Sequence, residues 1–260
     1  MIDLHNHTTR CNHATGSMQD YVKAAIAQGI KYYGFSCHAP MDFDSKYRMA
    51  KAELKDYLAD IEALKMANPD IDIKSGLEVD FILGKPHLME KEVLEARVDH
   101  LIGSVHFLDS WGFDNPEFLD EWAKRDVKEC WELYLDSIQA MAKSGYFQIV
   151  GHLDLLKVFG ATPPKEMDSK IEKTLQIIKD NNMVLEINTA GLRKPIKECY
   201  PSPSILKLAK KLGLDITFSS DAHALSQVGA GLKECIALAK DIGFKAGVVF
   251  DKKIPFHVAL

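Results

Sequence analysis

Seven times along the chain, a short apolar run of strand length is followed by a longer stretch whose apolar residues recur at helical spacing. Candidate strands lie near residues 2–5, 31–36, 73–79, 100–105, 147–151, 183–188 and 214–219. Helical patterns lie near 18–28, 51–67, 87–96, 117–144, 166–181, 203–212 and 225–242. Such alternation implies βα units laid around a parallel sheet. Nothing in the 260 residues reads as a low-complexity linker or an internal repeat, so residues 1–260 are expected to form a single domain. Seven units in about 250 residues suit a closed α/β barrel better than an open sheet, which would be marked by a glycine-rich loop after its first strand. The first helix shows its ends: Ser17 can cap it, Asp20 follows three residues later, and Gly29 stands just past its last turn.

Composition narrows the partners. With 47% hydrophobic and 27% charged residues the chain can bury a sizeable core, which excludes disorder and fibrous classes. Lys plus Arg number 32 against 37 Asp plus Glu, a net charge of −5, so neither a nucleic-acid surface nor an anionic-membrane surface is expected. The start, MIDLHNHTTRCNH, lacks the apolar run of a signal peptide, and no stretch approaches the roughly 18 apolar residues of a membrane span. A cytoplasmic location is therefore expected. Cys11, Cys37, Cys130, Cys199 and Cys235 form no CxxC pair and are read as reduced thiols.

No GxGxxG or P-loop pattern follows the first strand; His5-Asn6-His7 does. Two residues apart on extended chain, His5 and His7 project to the same side and can converge on one ion. Other candidates fall at the carboxyl ends of further strands: His38 in GFSCH, Glu78 in SGLEVD, His106 in IGSVH, His152 in IVGH, and Asp221 with His223 in FSSDAH. In a βα barrel those ends form one face, where the active site is built. Neutral imidazoles with carboxylates are the donor set that Zn, Mn or Fe requires. Any one of these histidines alone reads as a polar strand terminus; convergence of the set is what argues for metal. His100 opens its strand, His87 lies beside Pro86 and His257 sits in the tail, so none of the three is expected to be a ligand. Glu186 and Asn188, at the end of the sixth strand, are left outside the metal shell, Glu186 being readable as a plain polar strand residue.

Taken in order, HNH, a histidine (His13) shortly after it, FSCH, GLEVD, GSVH, GHLD and SSDAH resemble the polymerase and histidinol phosphatase (PHP) domain, over nearly the whole chain. The resemblance implies a distorted (β/α)7 TIM-like barrel carrying two or three divalent metal ions. It implies His5, His7, Glu78 and Asp221 around the first ion, Glu78, His106 and His152 around the second, and His13, His38 and His223 around the third. Two divalent ions roughly 3.5–4 Å apart repel, so a shared carboxylate such as Glu78 is physically reasonable.

A site of this kind suits phosphomonoester hydrolysis, with a metal-bound hydroxide attacking phosphorus in line. Glu78, Asp221 and His223 are the catalytic candidates, and either Asp221 or His223 passes a proton to the leaving alkoxide. The segment EINTAGLRKP resembles the histidinol-phosphate phosphatase branch, in which an arginine after the sixth strand contacts phosphate; that residue here is Arg193. Arg48 and Lys157 are further cationic candidates, with a solvated surface position as the alternative for each. The aromatic segment 107–125 either covers the barrel mouth, meeting an imidazole and an ammonium group, or packs onto the barrel wall. The resulting expectation is a hydrolase of histidine biosynthesis that releases L-histidinol and phosphate from a small phosphorylated substrate. The alternatives are a PHP phosphoesterase for another phosphomonoester, nucleotide or nucleic-acid end, and a non-catalytic metal-binding domain.

Overall fold

The structure is a computed structural model that describes residues 1–260. Its main sheet is built of β1 (Ile2–Asp3), β2 (Tyr32–His38), β3 (Asp72–Asp80), β4 (His100–Ser104), then, beyond a small hairpin of β5 (Phe107–Leu108) and β6 (Trp111–Gly112), β7 (Ile149–Val150), β8 (Val184–Asn188) and β9 (Ile216–Ser219). The order is β1-β2-β3-β4-β7-β8-β9, every neighbouring pair is parallel, and the strands form a nearly closed barrel. Closure comes from single bonds at the strand ends. Leu4 N–H donates to the Phe218 carbonyl at 3.0 Å, Asp221 N–H to His5 at 2.9 Å and His7 N–H to Ala222 at 3.0 Å. These bonds bring the HNH segment against SDAH, from opposite ends of the sequence.

Helices α1 (Met18–Ala27), α2 (Leu54–Ala67), α3 (Lys91–Leu94), α4 (Val127–Lys143), α5 (Asp168–Asp180), α6 (Pro203–Leu212) and α7 (Leu232–Ile242) connect the strands. Ser17 caps α1 as expected, its hydroxyl accepting the Asp20 N–H. The parallel register, more than local propensity, positions the chemistry: His38 in β2 lies opposite Glu78 in β3, and Glu78 opposite Ile102 in β4. Gly76, two residues earlier, has no room for a side chain, since a Cβ there would sit 2.5 Å from both His100 Nε2 and Ser36 Oγ.

Several expected boundaries are corrected. The helix expected over 117–144 breaks: a 3-10 segment, Pro116–Lys124, contains a non-helical Phe118, and Asp126 then caps α4 by accepting the Glu129 N–H. The pattern at 225–242 opens with a 3-10 turn, Leu225–Gln227, and becomes α-helical only from Leu232, because Gly229 and Gly231 adopt left-handed backbone. Only four residues of 87–96 are α-helical. The strand expected over 2–5 pairs as a strand only at Ile2–Asp3, and that over 147–151 only at Ile149–Val150. The sequence reading missed the antiparallel hairpin of β10 (Ala246–Asp251) and β11 (Ile254–Ala259), which buries Val248, Val249 and Phe250. Its turn is fixed by Lys252 and Lys253 N–H groups donating to Asp99, just before β4, so it covers the amino-terminal end of the barrel. No helix is long and apolar enough to cross a membrane.

Candidate metal centre

At the opposite, carboxyl end, all nine candidate ligands converge. Nε2 of His5 lies 3.1 Å from Nε2 of His7 and 3.3 Å from Glu78 Oε2. His7 Nε2 is also 3.2 Å from Asp221 Oδ1. The other Glu78 oxygen, Oε1, faces His152 Nε2 at 2.8 Å and His106 Nε2 at 3.5 Å, while His38 Nδ1 approaches Oε2 at 2.9 Å. One carboxylate thus stands between two groups of imidazoles. Nitrogens of His13, His38 and His223 form a further group, all within 4.8 Å of one another.

The outward-facing nitrogens decide what the inner ones offer. His5 Nδ1 lies 2.8 Å from Glu186 Oε1, and His106 Nδ1 lies 2.7 Å from Asp80 Oδ1. Carboxylates only accept, so each Nδ1 carries the proton and each Nε2 presents a lone pair. His13 Nδ1 is likewise turned to the Cys11 carbonyl at 2.7 Å, and His223 Nδ1 to that of Asp221 at 3.2 Å. Nε2 of His223 is buried with no hydrogen-bond partner. The Nε2 lone pairs of His5 and His106, aimed at Glu78 oxygens at 3.3 and 3.5 Å with their protons held on the far nitrogens, repel those oxygens unless cations share the space. The donor set, imidazole nitrogens plus the oxygens of Glu78 and Asp221, fits divalent transition metals.

In the metal-free protein, protons take the place of those cations. Burial disfavours imidazolium at His106, but Asp80 and Glu78 outweigh it and raise the pKa to about 10. At His7 burial is likewise overcome, by Asp221 and Cys37, and the value rises to about 9. Burial favours the neutral acid at Glu78, yet His5, His38 and His106 hold it well below the ordinary carboxylate range. Two residues of the cluster sit on left-handed backbone, His152 at φ 21° and Asp221 at φ 51°. The Leu155 N–H bond to the His152 carbonyl and the Asp221 N–H bond to His5 retain these conformations.

A supporting layer was missed or undervalued at the level of sequence. Glu186, read there as a plain strand residue, is buried, holds His5 and accepts the His152 N–H at 2.6 Å. Asn188 donates to Asp221 Oδ2 at 3.1 Å. Asp80, quoted within GLEVD but given no role, orients His106 and is itself paired with Arg48 Nη1 at 2.7 Å. The alternation of β3 carried the signal: Glu78 and Asp80 must share a face.

Of the three cationic candidates, Arg193 and Arg48 line the cavity above the cluster, about 560 Å³ in volume. Arg193 Nη2 donates to the Ser220 and Asp221 carbonyls at 2.6 and 3.3 Å, and its buried Nη1 has no partner. Lys157 is corrected: it is 1% exposed and does not line the cavity. Its ammonium is spent on Glu198 at 2.6 Å, Asp154 at 3.0 Å and the Cys199 carbonyl at 2.9 Å, which stitch the loop after β8 to the loop after β7. His87 and His257 are absent from the cavity lining, and His257 pairs with Asp215 at the barrel's other end. His100 is buried against Ser36 and the Leu4 carbonyl. In segment 107–125, Trp111 and Phe113 are buried in the wall, while Phe107, Asp114 and Phe118 line the cavity.

Known proteins resemble this chain over most of its length. A probable histidinol-phosphatase from Deinococcus radiodurans is 36% identical over 246 residues, 94% of this chain and 94% of that protein. A histidinol-phosphatase from Bacillus subtilis is 30% identical over 254 residues, covering 87% of this chain and 95% of its own. In fold, the chain superposes on the Lactococcus lactis histidinol phosphate phosphatase, solved with Zn, L-histidinol and phosphate, with a TM-score of 0.83 at 22% identity, covering 98% of each chain. The PHP domain profile matches residues 3–190, which span the strands that carry most of the cluster, and the chain belongs to that family.

Proposed function

We propose that the chain, as one PHP-type domain over 1–260, is a metal-dependent phosphomonoesterase that hydrolyses L-histidinol phosphate to L-histidinol and phosphate in histidine biosynthesis. The observation that carries this reading is Glu78, buried with each oxygen turned to a different set of imidazoles beneath a cavity of small-molecule size. His5, His7, Glu78 and Asp221 would hold one ion, Glu78, His106 and His152 a second, and His13, His38 and His223 a third, as Zn, Mn or Fe. Such ions lower the pKa of water and withdraw charge from phosphoryl oxygens. Arg193, fixed by two carbonyls with Nη1 unspent, grips the phosphoryl oxygens as their charge builds. Arg48 keeps Asp80, and through it His106, in place. Asp221 or His223, both on the cavity wall, passes a proton to the leaving alkoxide. The names of the relatives, histidinol-phosphatases, support a small phosphorylated substrate; a cytoplasmic location, with neither nucleic acid nor membrane as partner, is part of the same proposal.

The test is phosphate release by protein stripped with a chelator and reconstituted separately with Zn, Mn or Fe, against L-histidinol phosphate and a phosphomonoester panel. The expected result is activity that disappears on stripping, returns with metal, and is highest for L-histidinol phosphate. Preference for a nucleotide would replace the substrate, and full activity in the stripped protein would overturn the reading.

A further inference from the structure

The cavity holds carboxylates beyond those of the metal cluster, and all but one are committed. Asp44 is 3.7 Å from Arg48, Asp80 is 2.7 Å from the same guanidinium, and Glu117 is 2.8 Å from Lys46. Asp114, partly buried on the cavity wall, has no ion pair and no side-chain hydrogen bond. It is also held still. The Phe113 N–H donates to the His106 carbonyl at 3.2 Å, the Trp122 indole N–H donates to the Phe113 carbonyl at 3.0 Å, and the Phe113 ring meets Tyr134 edge-on at 5.7 Å. The backbone from which Asp114 projects is therefore fixed directly beside a residue of the cluster.

A carboxylate without an ion-pair partner, carried on anchored backbone at the wall of a substrate cavity, is a receptor for a cation. It is not placed to serve the metals, since it belongs to none of the groups whose ligand atoms converge. The anion-binding arginine, Arg193, follows β8, whereas Asp114 follows the separate β5–β6 hairpin that extends from β4, and β7 lies between β4 and β8 in the sheet order. A ligand with its phosphate at Arg193 and the cluster can thus send a positive group toward Asp114. The neighbouring wall is apolar at Phe107 and Phe118, which suits a carbon chain or a flat ring between the two charges.

We propose that Asp114 is a substrate-binding residue that receives a primary ammonium, so that the cavity selects amino-alcohol phosphates over neutral phosphomonoesters; this rests on the phosphatase reading above. At neutral pH the amine is charged, and one charge-assisted hydrogen bond accounts for a loss of about ten- to a hundredfold when it is removed.

The experiment compares fully metallated wild type, Asp114→Asn and Asp114→Ala on L-histidinol phosphate, O-phosphoethanolamine, glycerol phosphate and p-nitrophenyl phosphate, with calorimetric binding of L-histidinol alongside. Expected is a ten- to hundredfold fall in kcat/KM for the two amines, little change for the two amine-free esters, weaker L-histidinol binding and normal metal content. Equal losses on all four substrates, no loss on the amines, or loss of metal in both variants would overturn the assignment. A wild type inactive on L-histidinol phosphate counts against the substrate reading alone. The pair of O-phosphoethanolamine and glycerol phosphate still decides the role of Asp114.

Discussion

Oε1 of Glu186 lies 2.8 Å from Nδ1 of His5 with both side chains buried, a contact that fixes which nitrogen of His5 faces the cluster. Glu186→Ala frees the ring and removes an acceptor from the His152 N–H as well. Metal affinity in this variant should fall about ten- to a hundredfold, with a smaller loss in Glu186→Gln. Equilibrium dialysis against a competing chelator measures both, and unchanged affinity in Glu186→Ala would show that the pairing does not orient a ligand.

Because both oxygens of Glu78 face imidazoles, Glu78→Gln should disturb two ions together, whereas His38→Ala should remove one. The group of His13, His38 and His223 supplies only neutral nitrogens, so its ion should be the last and weakest to load. Titration of metal into stripped protein should show a late step that is missing in His38→Ala. His257→Ala should bind the wild-type number of ions, as measured by elemental analysis.

Arg193→Lys keeps a charge but loses the fork, and Arg193→Ala loses both. We expect Arg193→Ala to lower kcat/KM about ten- to a hundredfold at unchanged metal content, with Arg193→Lys recovering only part of the loss. Wild-type kcat/KM in a fully metallated Arg193→Ala protein would remove the residue from the phosphate site.

Much of this arrangement is legible in the sequence, and the reason is periodicity. Strand-length apolar runs that end in His38, Glu78, His106 and His152 announce both a parallel barrel and a face where those residues meet. Asp80 and Glu186 are less legible, because their value depends on which strand lies beside which. The fate of Lys157 is hidden for the same reason: its partners Glu198 and Cys199 belong to a loop after a different strand. The β10–β11 hairpin escapes notice because its turn uses Lys252 and Lys253 at positive φ in place of the usual Asn-Gly, and because Pro255 argues against a strand.

His100 gives the fold an acid sensitivity separate from the metal ligands. Burial lowers its pKa from 6.5 to about 4, so the folded protein keeps it neutral where the unfolded chain would protonate it. Between those values the unfolded state binds more protons. The contribution to stability, about 3 kcal/mol, is complete above pH 6.5 and disappears as pH falls toward 4. His100→Gln should flatten the difference in urea stability between pH 7 and 5 relative to wild type, with metal content unchanged. An identical pH dependence in both proteins would show that this histidine does not control it.

The seam between β1 and β9 has a consequence for biogenesis. It is joined by isolated backbone bonds, with no ladder, and its two banks carry His5 and His7 on one side and Asp221 on the other. An ion held across it would work as a clasp between two segments far apart in the sequence, with β2 to β9 between them. A nascent polypeptide that has exposed HNH must therefore wait until SSDAH has been made before the clasp can fasten. Loop-closure entropy grows only slowly with the length bridged, so a fastened clasp costs little more than a local one and stabilises the native state by mass action.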